Sequence, residues 1–215
     1  TRVRSSAASD VYKRQLSRCD GAGVVLDVGC SAGTLAAALR ERGAVVDGVE
    51  SDPEAAALAR RHCRMVLNGD VETMDLPTAL PHAEYDVVIM GDVLEHLRDP
   101  VAALRAVRPL LRSQGRMVLS TPNIANWSMR LLHLAGRWDY TDRGIMDRTH
   151  LRFFTRRSIE AAVREAGFRV VEADVSCPLP ALRREPFTRW AHAIALRAQN
   201  LLAYQFILTV VPATP

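Results

Sequence analysis

The chain has 215 residues, 48% of them hydrophobic, enough for one α/β domain with a real core and too few for two. No apolar run reaches the ~20 residues of a membrane-spanning helix, no apolar signal region opens the chain, and Cys19, Cys30, Cys63 and Cys177 lack metal-ligand spacing, so a reduced, cytoplasmic setting without a metal is expected. Arg2, Arg4, Lys13 and Arg14 against Asp10 supply +3 of the +4 formal charge, and the remainder is no footprint for nucleic acid.

Residues 1–15 read as a non-native tail. Asp10-Val11-Tyr12-Lys13-Arg14-Gln15 looks like the translation of a sequencing-library adapter, and Lys13 is the only lysine beside 27 arginines. On this reading the domain is 16–215 and the natural N-terminus is missing. Val24–Val28 is then an apolar strand, followed by a helix over Thr34–Arg42. Ala44–Glu50 is a second strand, and Pro53–Arg61 a helix with Pro in its first turn. Met65–Asn68 and Tyr85–Met90 are strands, the latter apolar enough to be covered on both faces. Asp99 caps a helix running to about Leu111. Gln114-Gly115 turns into a fifth strand, Arg116–Thr121. Residues 123–157 break the rhythm, with weak helical periodicity over Ile124–Leu134. A helix over Ser158–Ala166 with Gly167 as C-cap, a strand Phe168–Val175, a loop Cys177–Pro186, a helix Thr188–Ala203 and a strand Tyr204–Val211 complete the chain. The alternation predicts a doubly wound, mostly parallel α/β sheet of seven strands with an insertion after the fifth.

In such a sheet the ligand sits at the carboxyl ends of the strands. The first strand ends in Asp27-Val28-Gly29-Cys30-Ser31-Ala32-Gly33, a glycine-bounded turn opening a helix. Glycine allows close backbone approach, and the helix start offers free N–H groups. The spacing is not the G-x-G-x-x-G of dinucleotide folds, which counts against a nicotinamide-dependent reductase. Asp27 suits a cationic ligand group. Glu50, with Ser51 beside it, can accept from ribose hydroxyls. Asp70 and the Val71 N–H can meet an adenine edge, and Gly91 and Asp92 follow the fourth strand. Cys30 and Gly33 complete the turn; a small side chain, not a catalytic thiol, explains Cys30.

Four motifs carry a resemblance: Leu26-Asp-Val-Gly-Cys-Ser-Ala-Gly33, Gly48-Val-Glu50, Asn68-Gly-Asp-Val-Glu72 and Tyr85-Asp-Val-Val-Ile-Met-Gly-Asp-Val-Leu-Glu-His-Leu97. Together they resemble the class I S-adenosylmethionine-dependent methyltransferases. Within these they are similar to a bacterial small-molecule branch like the ubiquinone-biosynthesis O-methyltransferases. One position departs from the pattern: Ser31 stands where the motif usually has Gly. The resemblance implies a Rossmann-like fold and S-adenosylmethionine as cofactor. It implies Asp27, Gly29, Glu50, Asp70, Val71 and Gly91 as cofactor contacts and methyl transfer by in-line displacement as the reaction. Thr121-Pro-Asn123 and Asp147-Arg-Thr-His-Leu-Arg-Phe-Phe-Thr155 also resemble that branch, which implies a small-molecule hydroxyl as acceptor. A non-catalytic S-adenosylmethionine-binding module is the alternative.

Residues 123–157 hold Trp127, Trp138, Tyr140, Phe153 and Phe154 with seven Arg against three Asp, as expected of a cover over the acceptor. His150 is the first candidate for the general base and His96 the second; a structural role is the competing reading for each. The C-terminal helix, with Arg189, Trp190, Ile194, Arg197, Leu201 and Leu202, is expected to pack on the sheet, although such a helix can also lie on a membrane.

Overall fold

The computed structural model describes residues 6–80, 84–177 and 187–213. In chain order the elements are α1 (Ser6–Ser17), β1 (Val24–Val28), α2 (Thr34–Glu41), β2 (Val45–Glu50), α3 (Pro53–Ala59), β3 (Met65–Asn68), α4 (Leu76–Ala79) and β4 (Tyr85–Gly91). There follow α5 (Pro100–Val107), β5 (Leu111–Pro122), α6 (Trp127–Leu134), α7 (Arg156–Glu165), β6 (Phe168–Ser176), α8 (Phe187–Arg197), α9 (Gln199–Leu202) and β7 (Gln205–Pro212). One sheet holds seven strands in the order β3-β2-β1-β4-β5-β7-β6, with β7 antiparallel to both its neighbours.

Alternation along the strands builds two cores. Val25, Val87, Ile89, Val118 and Ile207 point to one face, where Val11, Leu16, Ala36, Leu39 and Ala56 of α1–α3 cover them. Leu26, Val88, Met90, Leu119 and Phe206 point to the other, under Leu76, Leu104, Ile159 and Val163 of α4, α5 and α7. Local chemistry sets the helix starts. Asp52 and Asp99 accept from the backbone N–H of Glu54 and Ala102, each with Pro next in sequence. Thr155 and Ser158 form a capping box on α7.

Four differences from the sequence reading have identifiable causes. Residues 6–15, set aside there, belong to a helix that runs across the Gln15–Leu16 boundary and buries Val11, Gln15 and Leu16. β5 begins at Leu111, because Gly115 lies flat against the Tyr85 carbonyl and the Gln114-Gly115 turn becomes an irregularity within the strand. The C-terminal helix is broken at Ala198 into α8 and α9. Ala195 and Leu202 pack against the core while Ile194 and Leu201 face out; the side chains of Arg189 and Trp190, and the loop over 178–186, lie outside the described residues. Within the 123–157 insertion the helix starts only at Trp127, where Asn126 caps it.

Candidate active site

The strand ends assemble one cleft of about 390 Å³, lined among others by Gly29, Glu50, Ser51, Asp70, Val71, Asp92 and His96. The β1–α2 turn forms its floor. Gly29 has φ 74°, and a Cβ there would come 2.6 Å from Val93 Cγ2, so only glycine fits. Ser31 takes φ 48°, a left-handed conformation that costs a non-glycine residue roughly 1–2 kcal/mol. Glu50 offsets this cost: its Oε2 accepts the Ser31 N–H at 2.7 Å and its Oε1 the Asp52 N–H at 2.9 Å. Oε1 also accepts from Ser51 Oγ at 3.4 Å, which leaves one lone pair on Oε2 for a ligand hydroxyl. Asp70 accepts from the Glu72 N–H at 2.9 Å, which aims the loop at the cleft.

Four residues expected to touch the cofactor do not line the cleft. Asp27 is buried (4% exposed) behind it. Burial, then the nearby Glu50, pushes its carboxyl up to about 7. Cys30 turns to the opposite face, where its Sγ fills the space a Gly48 side chain would take. A hydrogen bond with Cys63 and burial push its thiol up, so it is no nucleophile. A Cβ at Gly33 would sit 2.9 Å from the Ala59 Cα, so that glycine serves the packing of α2 on α3. At Gly91 the missing side chain makes room for Gln15.

Asp92 opens to the cleft with protein on its other sides. It holds φ 56°, accepts from Ser120 Oγ at 2.6 Å and Gln205 Nε2 at 2.9 Å, and burial raises its pKa. His96 stands next on the wall. Its Nδ1 meets the Thr149 carbonyl at 3.2 Å, and the tautomer that donates there leaves Nε2 with a free lone pair. His150, the first candidate, is only 8% exposed and lies behind His96, with ring centroids 4.9 Å apart. Its Nδ1 donates to the Ile145 carbonyl at 3.0 Å, and burial lowers its pKa below 6.5. The order of the two candidates is therefore reversed: His96, not His150, faces the cleft.

The sequence reading missed Glu95. Its side chain is buried, and neither carboxylate oxygen has a hydrogen-bond partner among the described residues. Burial, then Asp92, drives its pKa well above the usual carboxylate range. Its backbone carbonyl accepts from Leu151 and Arg152 N–H, and this clasp brings His150 to His96. One ligand atom each from Glu95, His96 and His150 lie within 4.8 Å of one another, close enough to hold a metal ion. Beyond the histidines an aromatic run continues through Phe153 and Trp138 to His133, the last two stacked at 4.5 Å.

A family profile described as a methyltransferase domain matches residues 2–173. The ubiquinone biosynthesis O-methyltransferase of Aeromonas salmonicida is 39% identical over 105 residues, 46% of this chain and 43% of that protein. Its counterpart from Xanthomonas axonopodis is 30% identical over 194 residues, 87% of this chain and 78% of that protein. Among solved structures, a SAM-dependent methyltransferase from Archaeoglobus fulgidus superposes with a TM-score of 0.68 at 17% identity, covering 96% of this chain and 95% of that one. This chain thus spans under half the length of the Aeromonas relative and over three quarters of the Xanthomonas one.

Proposed function

We propose that this chain, which belongs to the S-adenosylmethionine-dependent methyltransferase family, methylates a hydroxyl of a small-molecule acceptor, with His96 as general base. When bound, S-adenosylmethionine supplies an activated methyl group on a good leaving group. The work left to the protein is to hold the acceptor in line with that methyl, which is worth up to ~7–11 kcal/mol of barrier, and to remove one proton. Glu50, Asp70 and Asp92 line the cleft, which supports a role for them in holding the polar groups of the cofactor. The observation that carries the reading is the His96 imidazole on the cleft wall, with Nε2 unbonded among the described residues. His96 Nε2 would take the acceptor O–H proton as the methyl group passes from sulfur to the acceptor oxygen and S-adenosylhomocysteine leaves. Neutral His150 behind it holds the ring without adding a competing positive charge. The names of the Aeromonas and Xanthomonas relatives support a hydroxyl acceptor.

The test is turnover with a panel of phenols, catechols and sugars, read as S-adenosylhomocysteine released. His96→Ala should lower turnover ~100-fold or more, the usual worth of a general base, with S-adenosylhomocysteine affinity unchanged. An unchanged rate on an accepted substrate would remove His96 as base. Tight cofactor binding with no turnover on any acceptor would favour a binding module.

A further inference from the structure

We propose that Cys30 and Cys63 form a redox modification site. Hydrogen peroxide joins them in a disulfide beneath the cofactor cleft, and the bond weakens S-adenosylmethionine binding. Both are free thiols, 4% and 8% exposed, in the core on the α1–α3 side of the sheet. They come from separate segments, Cys30 from the β1–α2 turn and Cys63 from the turn after α3, and they meet over β2 at Gly48. A Cβ at Gly48 would lie 2.6 Å from Cys30 Sγ and 3.4 Å from Cys63 Sγ. The missing side chain is thus the space that both sulfurs share. The Cys30 S–H donates to the Cys63 sulfur, so the two atoms that a disulfide joins already face each other. Cys19 is engaged elsewhere: its Sγ donates to the Gln15 carbonyl at 3.3 Å, and burial pushes its thiol up to about 12.

The pair divides the chemistry. The Cys30 hydrogen bond favours a thiolate on Cys63 and moves that thiol below its ordinary value, against burial and the Asp27 and Asp47 carboxylates. The Arg40 guanidinium, held on the Arg61 carbonyl at 2.8 Å, acts in the same direction. Arg60, Arg61 and Arg64 around Cys63 are exposed, so a small oxidant reaches Cys63 first. The Cys63 thiolate attacks one peroxide oxygen and the O–O bond breaks. The other oxygen leaves as hydroxide, which takes a proton to become water, and Cys63 becomes a sulfenic acid. The Cys30 sulfur then attacks the Cys63 sulfur and the S–O bond breaks. That hydroxide leaves with the Cys30 proton as a second water, and the disulfide is formed. Both thiols are oxidised and the peroxide is reduced; a dithiol reverses the bond by exchange.

The effect reaches the cleft through the backbone. Cys30 stands between Gly29, which lines the cleft, and Ser31, whose N–H meets Glu50 Oε2. A sulfur–sulfur bond is only about 2 Å long, so oxidation draws Cys30 toward Cys63 and away from the cleft. The left-handed turn at Gly29 and Ser31 shifts with it, and the Glu50 carboxylate loses its fixed place.

The experiment treats the cofactor-free protein with hydrogen peroxide, alkylates the remaining thiols and maps them by mass spectrometry. This reads the bond independently of any methyl acceptor. S-adenosylhomocysteine affinity is then titrated before and after treatment. In wild type Cys30 and Cys63 should appear in one linked peptide pair. Its affinity should fall about fivefold or more, the low end of coupling between two sites, and dithiothreitol should restore it. Cys63→Ser should bind like reduced wild type both before and after peroxide. Cys30→Ala lacks the second thiol and should hold a sulfenic acid on Cys63 that a dimedone probe traps. Peroxide that leaves both thiols open to alkylation, or joins either one to Cys19 or Cys177 instead, would overturn the site. A linked pair whose affinity stays within about twofold of the reduced protein would overturn its control of the cleft.

Discussion

Glu50→Ala tests how the cleft is built. The Glu50 carboxylate does two things: it fixes Ser31 and Asp52 through their N–H groups, and its Oε2 keeps a lone pair for the ligand. Hydrogen bonds to a charged group are worth about 1.5–3 kcal/mol each when lost. Ser31 and Asp52 are both exposed, so water can replace part of the two backbone bonds. The stability loss should be about 1–2 kcal/mol, or a fall in melting temperature of roughly 3–6 °C for a domain of this size. The ligand loss is larger, because the hydroxyl acceptor vanishes and the Ser31 turn relaxes from its left-handed conformation. S-adenosylhomocysteine affinity, measured by titration calorimetry, should fall by about 1.5–3 kcal/mol, some 10- to 150-fold. Adding Ser31→Gly removes the backbone strain and should restore the melting temperature but not the affinity. Affinity for single Glu50→Ala within twofold of wild type would refute both the assignment and the account of the turn.

Three further outcomes follow from the buried titratable groups. His150 has a folded pKa below its unfolded value of 6.5, so its contribution is complete above 6.5 and is lost as pH falls through the folded pKa; His150→Gln should flatten the loss of melting temperature between pH 6.5 and 5.5, and an unchanged slope would contradict this. Asp27 has a folded pKa raised to about 7, so its contribution is complete below the unfolded value of 3.8 and is lost as pH rises through the folded pKa. Asp27→Asn should therefore raise the melting temperature most at pH 8, less at pH 5, and leave it little changed below pH 4. The grouped Glu95, His96 and His150 should bind zinc: zinc should inhibit by occupying His96 Nε2, a chelator should reverse this, and the chelator alone should leave turnover unchanged. Loss of turnover on chelation would mean the group needs an ion to work.

What could be read from the chain depended on how local the cause was. β1 and β3 were legible to the residue because each is an apolar run closed by a polar or glycine turn. The caps at Asp99 and Gly167 were legible for the same reason. Gly33, Cys30 and Gly91, expected at the cofactor, lie outside the cleft lining, since a small residue at a strand end has two explanations. Which one holds depends on Ala59, Gly48 and Gln15, partners that sequence spacing does not reveal. The reversal of His96 and His150 has a similar origin. Both were visible as candidates, but their order rests on two N–H bonds to the Glu95 carbonyl from a loop more than fifty residues away.

The place of β7 bears on how the protein is made. β7 enters the sheet between β5 and β6, and its first residue, Gln205, donates to Asp92 on the cleft wall. During synthesis, at about 5–20 residues per second, β6 leaves the ribosome with no sheet neighbour to receive it. The β5 edge stays open until β7 arrives. The cleft is thus finished by β7, translated after β6, and a nascent chain halted short of residue 205 would display an unpaired edge to its neighbours on the polysome. S-adenosylmethionine can reward only the completed product, so it cannot guide the early stages of folding.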